Sequence, residues 1–198
     1  MATAQRKTTS ERISSVALQL LECEGAEAVS MRRVAEAVGV TPMAIYHHFP
    51  NREALLQAVT DAEFSRLLGF ITEARERVGA DPVTRLVEMM VGYVEYALAR
   101  PLVFEYIFSE PRPDARKFPD DFRARRSPTL TPVADAVLAA MHENQLKRDD
   151  EWEIALELWA LVHGYAIFYL GGRFHLSEGE FRELCRRGTR RLIDGLGA

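Results

Sequence analysis

Residues 30–52 read SMRRVAEAVGVTPMAIYHHFPNR, and the punctuation within them decides the fold. Ser30 is a good N-cap, and Met31 to Val38 follow as a short amphipathic run. Gly39 ends that run, as glycine does where the chain must turn. Thr41 caps a second run, with Pro42 at the first position, where a missing N–H does no harm. This run is expected to last to about His48, because Pro50 cannot continue it. Two short helices joined by Gly39-Val40-Thr41 have the spacing of a helix-turn-helix.

Outward from this stretch the chain reads as helix, and strand alternation is nearly absent. Upstream, Ile13, Val16, Ala17, Leu20 and Leu21 place an apolar stripe on a helix from about Ser10 to Glu24, closed by Gly25. Downstream, a long helix from about Arg52 to Val78 changes its apolar phase. Leu55, Ala58, Val59 and Ala62 form one stripe, and Phe64, Leu67, Leu68 and Ile71 another. A helix that changes its buried face serves two cores, so we expect domains at 1–55 and 56–198. Further helices are expected at Pro82–Ala99, Leu102–Phe108, Pro132–Gln145 and Asp150–Gly171, and from a Ser177/Glu180 capping box to near Leu196. Residues Pro111 to Pro128 read as the least ordered part. The expectation is an all-α protein of about nine helices.

Composition narrows the function classes. The 198 residues are 47% hydrophobic and 27% charged, with net charge −4, a globular profile without an overall basic coat. Cys23 and Cys185 lie far apart with no metal-type spacing, which suits free thiols in a reducing cytoplasm. The N-terminal residues lack the apolar core of a signal peptide. The most apolar run, Leu158–Leu170, is shorter than the roughly 20 residues a bilayer needs, so no membrane partner is expected. His142, His163 and His175 lack metal-ligand spacing. Phosphate-binding glycine loops and a G-x-S-x-G elbow are absent from the sequence. Neither enzyme chemistry nor a metal or cofactor is expected.

The helix-turn-helix carries chemistry suited to DNA. Thr41, Pro42, Met43 and Ala44 are small or apolar at the helix start, and Thr and Ala methyls can pack on thymine methyl groups. The Tyr46 hydroxyl and a His47 imidazole can reach phosphate oxygens, and Ser30, Arg32, Arg33 and Arg52 add donors and positive charge. Arg6 and Lys7 form a short polar arm able to touch the backbone. Residues 28–52 hold three arginines against Glu36 alone, net +2, which leaves −6 on the rest. The basic charge is thus local, as a DNA face on an acidic protein requires.

From Ser30 through Leu56 the sequence resembles the N-terminal domain of the tetracycline-repressor (TetR) family, a likeness extending over about Arg12 to Val59. The resemblance implies a homodimeric, all-α transcriptional regulator that binds a pseudo-palindromic operator and is released by a small ligand. It also implies that Arg32, Thr41, Tyr46, His47 and Arg52 occupy DNA-contacting positions. Many members carry Lys-Gly or similar where this chain has Pro42-Met43, so base preference there cannot be borrowed. Trp159 with His163-Gly164 resembles the WHG-type C-terminal domain of one branch of these regulators.

In the C-terminal part, Phe64, Met89, Tyr93, Tyr96, Phe104, Phe108, Trp159 and His163 are the candidate effector pocket. Apolar walls with a few polar tips suit a lipophilic or aromatic molecule. The helix from Ile154 to Leu170 is apolar nearly all round, so one side is free to pair with a second copy. Leu161, Tyr165, Phe168, Phe181, Leu184 and Leu192 are the expected dimer face, on the last two helices. The rival reading is a helical dimeric sensor of a small molecule or protein that does not read DNA.

Overall fold

The computed structural model describes residues 8–109 and 115–196, and among these it contains ten α-helices, one 3-10 turn and no strand. Arg6 and Lys7 lie outside the described residues. Short-range hydrogen bonds explain where most helices begin. In α1 (Thr9–Glu24), Thr8 and Glu11 form a reciprocal capping box, and Gly25 closes the helix at φ +83°. The Ser30 side chain accepts the Arg33 N–H at the start of α2 (Met31–Val38). Gly39 ends α2 in the left-handed region at φ +78°, its N–H reaching the Ala35 and Glu36 carbonyls.

Thr41 caps α3 (Pro42–Tyr46). This helix is two residues shorter than expected. Its last turn tightens, the His48 and Phe49 N–H groups both reaching the Ile45 carbonyl at 2.8 and 2.9 Å. Asn51 accepts the Ala54 N–H at 2.7 Å at the start of α4 (Arg52–Glu76). Then come α5 (Pro82–Ala99) and α6 (Pro101–Ser109). A four-residue α7 (Asp120–Arg123) lies in the stretch expected to be irregular. It was illegible because one turn leaves no periodicity to read. The chain continues in α8 (Thr131–His142), α9 (Glu151–Leu170) and α10 (Glu178–Gly195), the last opened by the expected Ser177/Glu180 box.

The described chain forms two compact units, one of residues 8–63 and 100–109, the other of 64–99 and 115–196. These units divide after Glu63, within α4, and α6 belongs to the first. Buried positions of α4 include Leu55, Val59, Glu63, Leu67 and Ile71. Such an i, i+4 row drifts by roughly 40° per step, so the buried face winds steadily instead of switching at one point. In the first unit α1 packs on α2 and α6, and α2 on α3, around Ile13, Ala17, Leu21, Val34 and Ile45, all with no exposed surface. The second unit is centred on α5, against which α8, α9 and α10 pack.

α9 has 20 residues because it starts at Glu151, seven residues before the apolar run counted in the sequence. By length and composition alone it is long and apolar enough to cross a bilayer. Here Trp152, Ile154, Ala155, Leu158, Val162 and Ala166 are buried inside the unit, which accounts for one side of its apolarity.

Candidate nucleic-acid interface and effector site

The α2–turn–α3 segment presents a distinct outer face. Ile45 and Phe49 anchor α3 in the core at 0% and 8% exposure. The intervening geometry turns Thr41, Pro42, Met43, Tyr46, His47 and His48 outward, while Ala44 and Ser30 are half-buried. Thr41 and Ser30 spend their side-chain oxygens on capping, accepting the Ala44 and Arg33 N–H groups at 3.3 and 3.2 Å.

The three arginines of this region have different fates. Arg32 is exposed and has no ion pair among the described residues. Arg33 forks onto Glu24, with 2.8 and 3.1 Å contacts, and reaches the Ala28 carbonyl. The hydrogen bonds and charge of that pair hold the Glu24 carboxyl below, and the Arg33 guanidinium above, their ordinary ranges. Arg52 donates to the Val29 and Ala26 carbonyls at 2.7 and 2.6 Å, tying the 3-10 turn (Ala26–Ala28) to the start of α4. Arg33 and Arg52 thus spend part of their guanidinium donors on partners within the chain. Their partners are backbone carbonyls and a glutamate from a separate helix, which spacing along the chain does not display. Arg12, which the sequence reading passed over, donates to the Val38 carbonyl at 2.9 Å and finishes the C-terminus of α2.

In the second unit, Tyr93 of α5 and His163 of α9 share a hydrogen bond of 2.8 Å between the phenol oxygen and Nδ1. The Trp159 indole, one turn earlier, donates to the same phenol, and its ring lies 5.8 Å from the imidazole. Burial pushes the Tyr93 phenol well above its ordinary range and lowers the His163 imidazole, so both groups are neutral near pH 7. The site is polar but uncharged, with Phe64 half-buried in the same unit.

The expected pocket lining divides into two sets. Met89, Tyr96 and Phe104 have no accessible surface, and Tyr93 retains 2%. A side chain with no accessible surface lines no space that water can enter, so Met89, Tyr96 and Phe104 are packed core in this state. Tyr96 meets the edge of Phe70 at 5.7 Å, and Phe104 lies 5.0 Å from Phe108 in the first unit. Trp159, His163, Phe64 and Phe108 keep partial exposure.

The expected dimer face also divides. Phe168 and Ile167 are 56% and 39% exposed on α9, and Leu161, Tyr165, Leu184 and Leu192 are half-buried. Gly164 has open space where a Cβ would stand. Phe181, by contrast, has no exposed surface, because it stacks on Tyr169 at 4.1 Å inside its own unit. It supports the outer face from behind and does not form it. Tyr165 packs against Gly188 of α10, where an added Cβ would fall 2.8 Å from its ring.

Comparison with known proteins bears on this arrangement. Residues 13–59 match the family model of bacterial regulatory proteins, tetR family, and residues 86–192 match that of the tetracyclin repressor-like C-terminal domain. The chain is 31% identical over 152 residues to the HTH-type transcriptional repressor KstR of Mycobacterium tuberculosis, covering 77% of this chain and 66% of that protein. It is 29% identical over 107 residues to the HTH-type transcriptional regulator AcrR of Shigella flexneri, spanning about half of each. Two solved structures share the fold. One, a protein of unknown function from Rhodococcus sp. RHA1, is 23% identical and superposes with a TM-score of 0.84 over the whole of both chains. The other, a putative tetR family transcription regulator from Shewanella sp. PV-4, has a TM-score of 0.69 at 16% identity, over 97% of this chain and all of that one. With family models covering both its helix-turn-helix and more than half of its length beyond it, the chain belongs to the tetracycline-repressor family of bacterial transcriptional regulators.

Proposed function

We propose that this chain is a one-component, homodimeric transcriptional repressor that reads a pseudo-palindromic operator in the cytoplasm and is released by a small lipophilic or aromatic effector. The observation that carries the DNA-reading part is the outer face of α2 and α3. A capped two-helix unit, anchored by Ile45 and Phe49, exposes Arg32, Thr41, Pro42, Met43, Tyr46 and His47 together. The second helix of such a unit enters the major groove, and a two-fold dimer sets two of them roughly 34 Å apart, one turn of DNA.

The dimer reading is supported by the outer side of α9. Ala160, Gly164, Ile167 and Phe168 fall on one face at helical spacing, exposed or half-buried. Small residues let two helices approach closely, and exposed Phe168 supplies apolar area to bury against its own copy. The effector reading is supported by the Tyr93–His163–Trp159 group, a few polar tips amid apolar side chains. Occupancy there reaches the DNA-facing unit through α4, which contributes to both units. To move a regulator from 1:99 to 99:1, an effector must prefer the released form by about 5.5 kcal/mol.

The test is a fluorescence-anisotropy titration of the full chain against DNA from upstream of its own reading frame, with random DNA of equal length, at several salt concentrations. Selective binding that weakens steeply with salt is the expected outcome. Arg32→Ala should weaken binding to both DNAs and lower the salt slope by about one. Tyr46→Ala should also weaken it, and neither variant should change the oligomeric state by light scattering. Phe168→Asp should yield monomers with weakened operator binding. A dimer that selects no DNA from its own upstream region or from pooled genomic fragments overturns the reading in favour of a sensor that does not read DNA.

A further inference from the structure

From Gly39 to Asn51 the chain carries no lysine, arginine, aspartate or glutamate. The flanking cations Arg33 and Arg52 are held by Glu24, Ala28, Val29 and Ala26. The helix that the proposed function places in the major groove therefore offers no guanidinium or ammonium to guanine, the commonest specific contact, and no carboxylate to cytosine. What its first turn offers is apolar. The Thr41 oxygen accepts the Ala44 N–H at 3.3 Å, which leaves its methyl beside one O–H donor. Pro42 presents ring methylenes. Met43, at 67%, is the most exposed large apolar side chain among the described residues.

In the major groove, the apolar group that an unmodified base pair presents is the thymine C5-methyl. Base-edge contacts come from the N-terminal residues of the recognition helix, where Thr41, Pro42 and Met43 stand, whereas His47 and His48 lie at its far end. The unbranched thioether of Met43 adapts its shape to such a contact. We propose that Met43, flanked by Thr41 and Pro42, reads thymine C5-methyl groups, so that specificity opposite this turn comes from methyl burial and not from hydrogen bonding to guanine. This inference rests on the DNA-reading function proposed above.

The experiment separates the two. The full chain selects its site from a pool of randomised duplexes, and the selected duplex is resynthesised with deoxyuridine for thymidine, one position at a time. This exchange removes the methyl and leaves every hydrogen-bonding group. One uridine in a single half-site should weaken binding about fourfold, the worth of a methyl group taken out of water, and one in each half-site about fifteenfold. Met43→Ala should weaken binding to the thymidine duplex and abolish the uridine penalty, and Met43→Leu should retain it. Neither variant should alter the salt slope, since no phosphate contact is lost. The inference is overturned if a selected site tolerates uridine everywhere, or if the penalty is as large in Met43→Ala as in the parent. A pool from which nothing is selected overturns the DNA-reading function itself.

Discussion

In the first unit, Arg100 lies 2.9 Å from Glu63, a side chain only 1% exposed, and 3.0 Å from Glu22. In the second, Tyr93, His163 and Trp159 join through hydrogen bonds with no formal charge among them. Both units bury polar groups, but with different consequences. An ion pair out of water stands only while both charges are present, because either one left alone carries an uncompensated desolvation cost. A neutral network that loses one member costs its hydrogen bonds and the desolvation of any polar group left unpaired, about 1–3 kcal/mol and less than for a buried charge. The placement is also different. Arg100 and Glu63 are the first unit's residues at the points where the chain enters and leaves it, and with Glu22 they join the residue before α6 to α4 and α1. The neutral network spans two long helices that already pack along their length.

The largest expected effect follows from removing the cation. Arg100→Met should cost about 3–5 kcal/mol, read from denaturant unfolding, because Glu63 stays buried without a partner. Adding Glu63→Gln should recover much of the loss. A cost for Arg100→Met of under about 1 kcal/mol would mean that water screens the pair, and the contrast between the units would fail.

Next in size is a test of helix approach in the second unit. A Cβ on Gly92 would stand 2.5 Å from the Phe70 carbonyl oxygen and 2.8 Å from the Ala74 Cβ. Gly92→Ala should therefore cost roughly 1–3 kcal/mol, because a backbone must move. Gly188→Ala should cost less, since the obstacle is the Tyr165 ring and hydroxyl. Equal losses at the two sites would show that Tyr165 is as fixed as backbone.

Tyr93→Phe should cost about 1–3 kcal/mol, because it leaves Trp159 and His163 without the hydroxyl that both meet. The same network predicts a pH dependence. Burial depresses the folded His163 pKa below the ordinary imidazole value of about 6.5. Unfolding then takes up a proton, so stability declines as pH falls through about 6.5 and levels off below the folded value. Comparison of stability–pH curves should show this acid-side decline reduced in His163→Gln. Identical curves would place the imidazole in water.

The smallest effect is chemical rather than energetic. Burial pushes the Cys185 thiol up to about 12, while Cys23 is exposed. A thiol reagent near pH 7 should titrate one cysteine in the native protein and two in denaturant. Two native thiols would mean that the second unit opens readily around α10.

Several helix ends were legible because their causes are local. Ser30, Thr41, Ser177 and Gly39 act on backbone groups within a few residues, so their spacing is sufficient information. The outward set on α3 was legible for a related reason, since Ile45 and Phe49 are the apolar positions of a short helix and the remainder must face away. Glu63 was not legible, because a carboxylate within an apolar row looks like a solvent position until its arginine, 37 residues later, is known. The burial of Met89, Tyr96 and Phe104 was not legible either, because a large apolar side chain looks alike in sequence whether it lines a cavity or fills a core.

By itself, the sequence determined the all-helical class, the capped helix-turn-helix and the absence of charge on α3, since these depend on periodicity and on hydrogen bonds made within a turn. Only the tertiary structure decided that Arg33 and Arg52 are engaged, that α6 belongs with α1, that Phe181 is sealed inside, and that Tyr93 meets His163 across 70 residues. The physical reason is the range of the interactions. Capping acts between neighbours in the chain, whereas desolvation, ion pairing and close packing depend on which distant groups folding brings together.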